Sequence, residues 1–416
     1  MNGVEIQANR ERTAALVWTA GATAPCAESF KETTPERVYR ALAASWEACG
    51  AFEWAALGYL ALSLALIAAF SRHLAHPLRL IGLQAFLASL ILVLCYIETR
   101  VAAHTARRGD FPRSGAHGFW HFWRHWYPHL FFLLCFEEMG TLAHLVYPGW
   151  HDAQLIAVDT WLTGVNPSLW LERFAHPALN EFMQFAYLTY FLYLLILGGI
   201  LYYRREWEAY WAAMTYSVVG YAFGYVIAVL FPVQSPWFTL AGMWHGDLAG
   251  GPFTALINLI EKCGRVHGAA FPSQHVAGAM AALWGAWRHR RWLFWVFLPF
   301  VLCMCVSTVY VRNHYVADVL AGLVTGTLGY WIGGWVMRAP GARGLRARTA
   351  AHPLQLRSPA MPRVRGFVGP GDAEQKILVG RSANELQTNG ETAGSEAARD
   401  GDRRDTREIR GAVQTQ

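Results

Sequence analysis

Two short stretches carry the side chains best suited to chemistry. The first is FPSQH, Phe271 to His275, at the entry to an apolar segment. Pro272 suits the first turn of a helix, and the N–H groups that follow it have no intrahelical acceptors and sit at the positive end of the helix dipole. Such a terminus accepts an anion such as phosphate. Ser273 can add a hydroxyl donor, and His275, one turn in, can give or take a proton near neutral pH. The alternative is that Ser273 only caps the helix and His275 rests in a wet interface. The second stretch is NHYVADVLAG, Asn313 to Gly322. His314 and Asp318 are four apart, so on a helix they share a face and the carboxylate can accept from the imidazole N–H. That contact fixes the tautomer and leaves the other ring nitrogen as a nucleophile or base; it can equally be a structural hydrogen bond. Gly322 and Gly326 continue the stripe, which lets this helix approach a neighbour closely.

The elements that must position these residues follow from composition. The 416 residues are 54% hydrophobic and only 15% charged, against roughly 25% charged for an ordinary soluble domain. That argues against a water-facing globular enzyme. The 35 Lys+Arg and 29 Asp+Glu are spread along the chain, which gives a nucleic-acid partner no support. Seven cysteines without CxxC spacing suggest neither a disulfide framework nor a zinc site. A helix needs about 20 mostly apolar residues to cross hydrocarbon, and eight segments are read as spans, at 52–70, 78–96, 127–147, 181–203, 209–230, 273–287, 292–310 and 314–336. The sixth is short. The expected architecture is therefore all-α, a polytopic membrane bundle of about eight spans. Arginines gather in alternate loops, for example Arg204, Arg205, Arg288, Arg290 and Arg291, which predicts cytoplasmic termini. On that topology the fifth span exits, the sixth enters, the seventh exits and the eighth enters at one outer surface. His275, Ser273, His314 and Asp318 then gather there.

PSQH followed by HYVAD and a glycine resembles the second and third signature motifs of the type 2 phosphatidic acid phosphatase superfamily, over roughly residues 125–336. FPSQHVAGA, NHYVADVLAG and the upstream DTWLTGVNPSLWL, Asp159 to Leu171, are most similar to the inositol phosphorylceramide synthase-like branch. The resemblance implies a six-helix phosphatase-like core over 125–337. It further implies that His314 attacks phosphorus to give a phosphohistidine, that Asp318 orients it, that His275 protonates the leaving oxygen and then activates the acceptor, and that Ser273 binds phosphate. The superfamily's first motif, a Lys and an Arg-Pro pair, has no counterpart in GYVIAVLFPVQSPWF, and Thr308 stands where an arginine is expected six residues before His314. Arg265, Arg312, Lys262, His245 and His267 are the cations available instead, and Gln274 joins Ser273, Arg265 and Arg312 as an expected substrate contact. A phosphomonoester carries close to two charges and a diester one, so the loss of cations points to a diester lipid whose head group is transferred.

The implied partners are a membrane phospholipid and a lipid, alcohol or water acceptor, with no metal or cofactor required. A lipid phosphate phosphatase acting on phosphatidic acid or a polyprenyl phosphate is the alternative within the enzyme class. A transporter using Glu137, Glu138 and the His/Asp pair is the alternative outside it. Glu137 and Glu138 lie in the third predicted span and are read either as helix-packing groups or as ligands of a polyol head group. His117, His121, His125 and His129 recur every four residues, which reads as an interfacial face with Trp120, Trp123 and Trp126 in preference to a metal site. Residues 1–50 are expected to form a cytoplasmic segment with a short interfacial helix from Thr34, residues 51–124 two accessory spans and a cytoplasmic loop, and residues 338–416 a disordered cytoplasmic tail. Residues 14–24 make a poor signal core with Pro25 at the cleavage point, so no cleavage is expected.

Overall fold

The computed structural model of the protein describes residues 34–108 and 116–339. The expectations for the first 33 residues and for the tail after 339 fall outside the described residues. The described chain is helical: α1 Thr34–Ala48, α2 Ala51–Ala69, α3 Pro77–Arg108, α4 Ala116–Leu142, α5 Asp152–Thr163, α6 Pro167–Leu171, α7 Pro177–Leu188, α8 Tyr190–Tyr203, α9 Trp207–Leu230, α10 Pro236–Thr239, α11 Pro252–Gly264, α12 Gln274–His289, α13 Arg291–Tyr310 and α14 Val316–Val336. Among these residues the sole β pairing is an isolated bridge between Val233 and Ala269. This is the expected all-α polytopic bundle.

Six helical stretches are long and apolar enough to cross a membrane: α2, α3 as far as Val101, α7 and α8 together, α9, α13 and α14. The other two expected spans differ for physical reasons. Helix α12 has 16 residues, about 24 Å at 1.5 Å per residue, short of a hydrocarbon core of about 30 Å. It is enclosed by α8, α9, α13 and α14, so it meets protein on most sides. Helix α4 is long but carries Arg124, Glu137 and Glu138. Arg124, assigned from sequence to a cytoplasmic loop, is instead buried inside the bundle. Its Nη2 donates to Glu53 at 2.6 Å and its Nε to Glu98 at 2.9 Å, with the guanidinium over the Trp211 ring.

The centre of the bundle is a seam of small residues joining α9, α12 and α14. A Cβ at Gly322 would lie 2.6 Å from the Ser273 carbonyl oxygen, one at Gly326 2.4 Å from that of Ala277, and one at Gly329 2.7 Å from the Gly220 Cα. Backbone therefore meets backbone along this seam, as the glycine stripe predicts. The contact at Gly322 also brings the start of α14 against the start of α12, where the Ser273 N–H donates to the Asp318 carbonyl at 3.0 Å.

Candidate active site

The loop between α13 and α14 and the loop before α12 are tied into one framework. The Asn313 and His314 amides both donate to the Thr308 carbonyl at 3.1 Å, closing the end of α13. The Ala270 N–H donates to the Val233 carbonyl at 3.1 Å, which fastens the loop after α9 to the same place. Two carboxylates from the short helix α5 complete it. Asp159 accepts from the Val316 and Ala317 amides, both at 2.8 Å, and so caps α14. Burial pushes Asp159 up while these two amides oppose the shift. Asp152 accepts from the Gln234 amide at 3.0 Å, the Thr239 hydroxyl at 2.7 Å and the Tyr315 hydroxyl at 2.9 Å. Helix α5 thus holds both the loop after α9 and the start of α14.

His314 stands at the centre of this framework. Its Nδ1 lies 3.0 Å from the Ala270 carbonyl oxygen and 3.3 Å from Asp318 Oδ2. Both are acceptors, so Nδ1 carries the hydrogen and Nε2 carries the lone pair. Asp318 is fully buried and Oδ2 also accepts from the Tyr315 amide at 2.8 Å, closing the first turn of α14. Burial drives His314 down to about 4, with the Ala270 carbonyl opposing, so the ring is neutral near pH 7. His275 faces it: His275 Nδ1 lies 3.2 Å from His314 Nε2, and the ring centroids are 5.3 Å apart. The sequence separates these imidazoles by 39 positions, and the fold brings them into contact.

Both imidazoles line a cavity of about 710 Å³ whose wall is mostly apolar, with Phe132, Phe136, Leu194 and Leu259 among its sides. Gln274 and Arg265 also line it. Arg265 is stacked over Trp237, donates to Asn313 Oδ1 at 2.9 Å and pairs with Glu261. Its charge is thus largely balanced before any substrate arrives. Gln274 Nε2 donates to the Pro272 carbonyl at 3.3 Å, while its buried Oε1 has no partner.

Ser273 and Arg312 do not line the cavity. Ser273 is the N-cap of α12, its Oγ accepting from the Val276 amide at 3.4 Å, and it is fully buried. Pro272 accordingly precedes the helix and does not form its first turn. Arg312 takes φ 68°, which turns it off the cavity, and it is buried over Trp244 with Nη2 donating to the Gly246 carbonyl at 2.7 Å and to Glu172 at 3.2 Å. Burial works against the Glu172 carboxylate, but His245, Gly246 and Arg312 together hold it below its usual range. His245 is spent on that carboxylate, His267 packs tilted against Phe238, and Lys262 is exposed and not part of the cavity wall.

The two glutamates of α4 part company. Glu138 is buried and accepts from Gln84 Nε2 at 2.7 and 2.9 Å, whereas Glu137 lines the cavity beside Gly264. Among the described residues no cluster of His, Cys, Asp and Glu is arranged to hold a metal ion. His125 Nδ1 instead meets the His121 carbonyl, and the side chain of His117 is outside the described residues.

Sequence reasoning assigns no role to four contributors: Asp152, Asp159, which opens the DTWLTGVNPSLWL motif, Tyr187 and Tyr190. The two aspartates are seven apart, a same-face spacing on a helix that places them together without naming their partners. The tyrosines lie in an aromatic run that offers no such signal.

Residues 153–332, from α5 to α14, match the family model described as the PAP2 superfamily. No curated protein and no solved structure matches the chain. The match supports the type 2 phosphatidic acid phosphatase superfamily and an enzyme of phosphatase or phosphotransferase type. With six helical stretches among the described residues long and apolar enough to cross a membrane, the protein is an integral multi-pass membrane protein.

Proposed function

We propose that this membrane enzyme transfers the phospho-head group of a diester lipid to an alcohol acceptor at the outer membrane face, through a phosphohistidine on His314. The observation that carries this reading is the 3.2 Å contact between His275 Nδ1 and the unprotonated Nε2 of His314, at the wall of a lipid-sized apolar cavity. In the first half-reaction the substrate phosphate enters between the rings and replaces the Nδ1–H···Nε2 contact, and Nε2 forms a bond to phosphorus as the bond to the diacylglycerol oxygen breaks. That oxygen takes the proton from His275 Nδ1. In the second, His275 accepts the proton of the incoming hydroxyl, whose oxygen attacks phosphorus and releases His314.

Charge supports a diester over a monoester. Arg265 is the one Lys or Arg among the described lining residues, and Glu261 already pairs with it. The Gln274 and His275 amides at the start of α12 add helix-terminal donors. A single phosphate charge suits this set better than two. The likeness of FPSQHVAGA and NHYVADVLAG to inositol phosphorylceramide synthases agrees with transfer.

The test uses purified protein in proteoliposomes with isotopically labelled glycerophospholipids and alcohol acceptors, and mass spectrometry of the products. Transfer should appear with wild type and vanish with His314→Ala, together with any acid-labile phosphoryl-enzyme, while the variant remains folded in detergent. Faster release of phosphate from phosphatidic acid than turnover of any diester would identify a lipid phosphate phosphatase instead. Activity retained in His314→Ala would end the mechanism.

A further inference from the structure

The span formed by α7 and α8 is interrupted at Thr189, and the two tyrosines flanking the break, Tyr187 and Tyr190, share one face. Both lie against His275. The Tyr190 ring packs at 4.5 Å between centroids, and the Tyr187 hydroxyl lies 2.8 Å from His275 Nε2. Tyr187 itself is buried.

The hydrogen bonds here have one consistent direction. His314 Nδ1–H is committed to Ala270 and Asp318, so His314 Nε2 can only accept. The atom facing it, His275 Nδ1, must therefore donate. A neutral His275 that donates from Nδ1 has a bare Nε2, which needs a donor, and the Tyr187 hydroxyl is the group in place. We propose that Tyr187 is a positioning residue that holds His275 with its Nδ1 edge toward the nucleophile throughout the catalytic cycle.

A hydroxyl suits this role because it can both donate and accept. In the resting pair it donates to Nε2. When the ring takes up a proton from water at Nε2 to become the imidazolium acid, Nε2–H donates to the same oxygen, the hydroxyl hydrogen having rotated away. After Nδ1 has given its proton to the leaving oxygen, Nε2–H remains bonded to Tyr187 and Nδ1 presents a lone pair to the acceptor alcohol. One ring orientation thus serves acid and base with no proton leaving the tyrosine. Phenylalanine fills the same space and supports neither state.

This inference rests on the proposed reaction, and the experiment separates their failures. Tyr187→Phe, His275→Ala and the double variant are assayed with a diester lipid and with an alkyl p-nitrophenyl phosphodiester, whose leaving group needs no proton. Tyr187→Phe should lower kcat about 10- to 100-fold on the lipid, part of the about 10²–10⁴ that general acid–base catalysis supplies, with KM little changed and a much smaller loss in the single-turnover release of p-nitrophenolate from the activated ester, which reports the first half-reaction alone. Added to His275→Ala it should cost nothing further, because it acts through that ring. Equal losses in the first half-reaction on both substrates, or a full further loss in the double variant, would overturn the assignment and leave the phosphohistidine mechanism standing. Independently of turnover, ¹⁵N spectra of labelled histidines should show His275 protonated at Nδ1 in wild type and redistributed in Tyr187→Phe. An unchanged spectrum would overturn the assignment even if the lipid reaction proved wrong.

Discussion

Asp318→Asn probes how His314, the proposed nucleophile, is oriented. Where a carboxylate is the sole partner of a catalytic imidazole, the amide replacement leaves the wrong tautomer and costs about 10⁴ in kcat. Here the Ala270 carbonyl is the nearer acceptor, 3.0 Å from His314 Nδ1 against 3.3 Å for Asp318. The carbonyl keeps the hydrogen on Nδ1 after the substitution, and Asn Oδ1 can still accept from the Tyr315 amide. What disappears is the negative charge beside a ring that, in the proposed reaction, becomes cationic as Nε2 bonds to phosphorus. A charge-assisted hydrogen bond is worth about 1.5–3 kcal/mol and a neutral one about 0.5–1.5, so the difference is about 1–2 kcal/mol. At about 1.4 kcal/mol per tenfold, kcat should fall roughly 5- to 30-fold. The new amide NH₂ occupies the place of Oδ1, which has no partner, and so adds a stability cost of about 1–3 kcal/mol. The assay is kcat for lipid head-group transfer in mixed micelles, with thermal unfolding measured in the same detergent. A loss near 10⁴ with the fold intact would show that Ala270 does not hold the tautomer, and an unchanged kcat would show that the carboxylate does not act on His314.

Three further outcomes follow from the geometry. Protonating His314 removes its lone pair, and burial holds this group down to about 4, so kcat/KM should fall on the acid side with a midpoint near pH 4; a midpoint at pH 6–7 in a pH–rate profile would contradict the burial. Gly326→Ala places a methyl 2.4 Å from the Ala277 carbonyl oxygen and should destabilise by about 1–3 kcal/mol through overpacking, visible as a lower Tm, whereas Gly334→Ala, whose nearest neighbour is at 4.0 Å, should leave Tm unchanged. Asp159→Ala leaves the Val316 and Ala317 amides without their acceptors and should cost about 1–3 kcal/mol in detergent unfolding, together with a fall in kcat because α14 carries Asp318.

Features written in local spacing are legible from the amino acids alone. His314 and Asp318 announce themselves four apart, and the glycines that follow mark the side of α14 that meets a backbone. Alternating spans bring His275 to the same end of the bundle by topology alone. Contacts set by a backbone turn or by distant chain segments are not legible in this way. Arg312 is two positions from His314 and its place in the chain suggests a phosphate contact, yet its left-handed conformation sends it to Glu172, 140 positions away. Glu137 and Glu138 look alike in sequence, but neighbours on a helix point about 100° apart, so one meets the cavity and the other Gln84. Tyr187 meets His275 across 88 positions, and Asp159 meets Val316 across 157; no periodicity encodes either pairing.

The glycine seam has a mechanical consequence. Since α12 and α14 touch through main-chain atoms at Gly322 and Gly326, and α9 and α14 at Gly329, these helices have no compressible side-chain layer between them and tilt as a single block. A thicker or thinner bilayer costs a bundle some fraction of a kcal/mol per ångström of mismatch. The close contacts of the seam should keep the spacing of the two imidazoles fixed, so one and the same geometry should persist in membranes of different thickness.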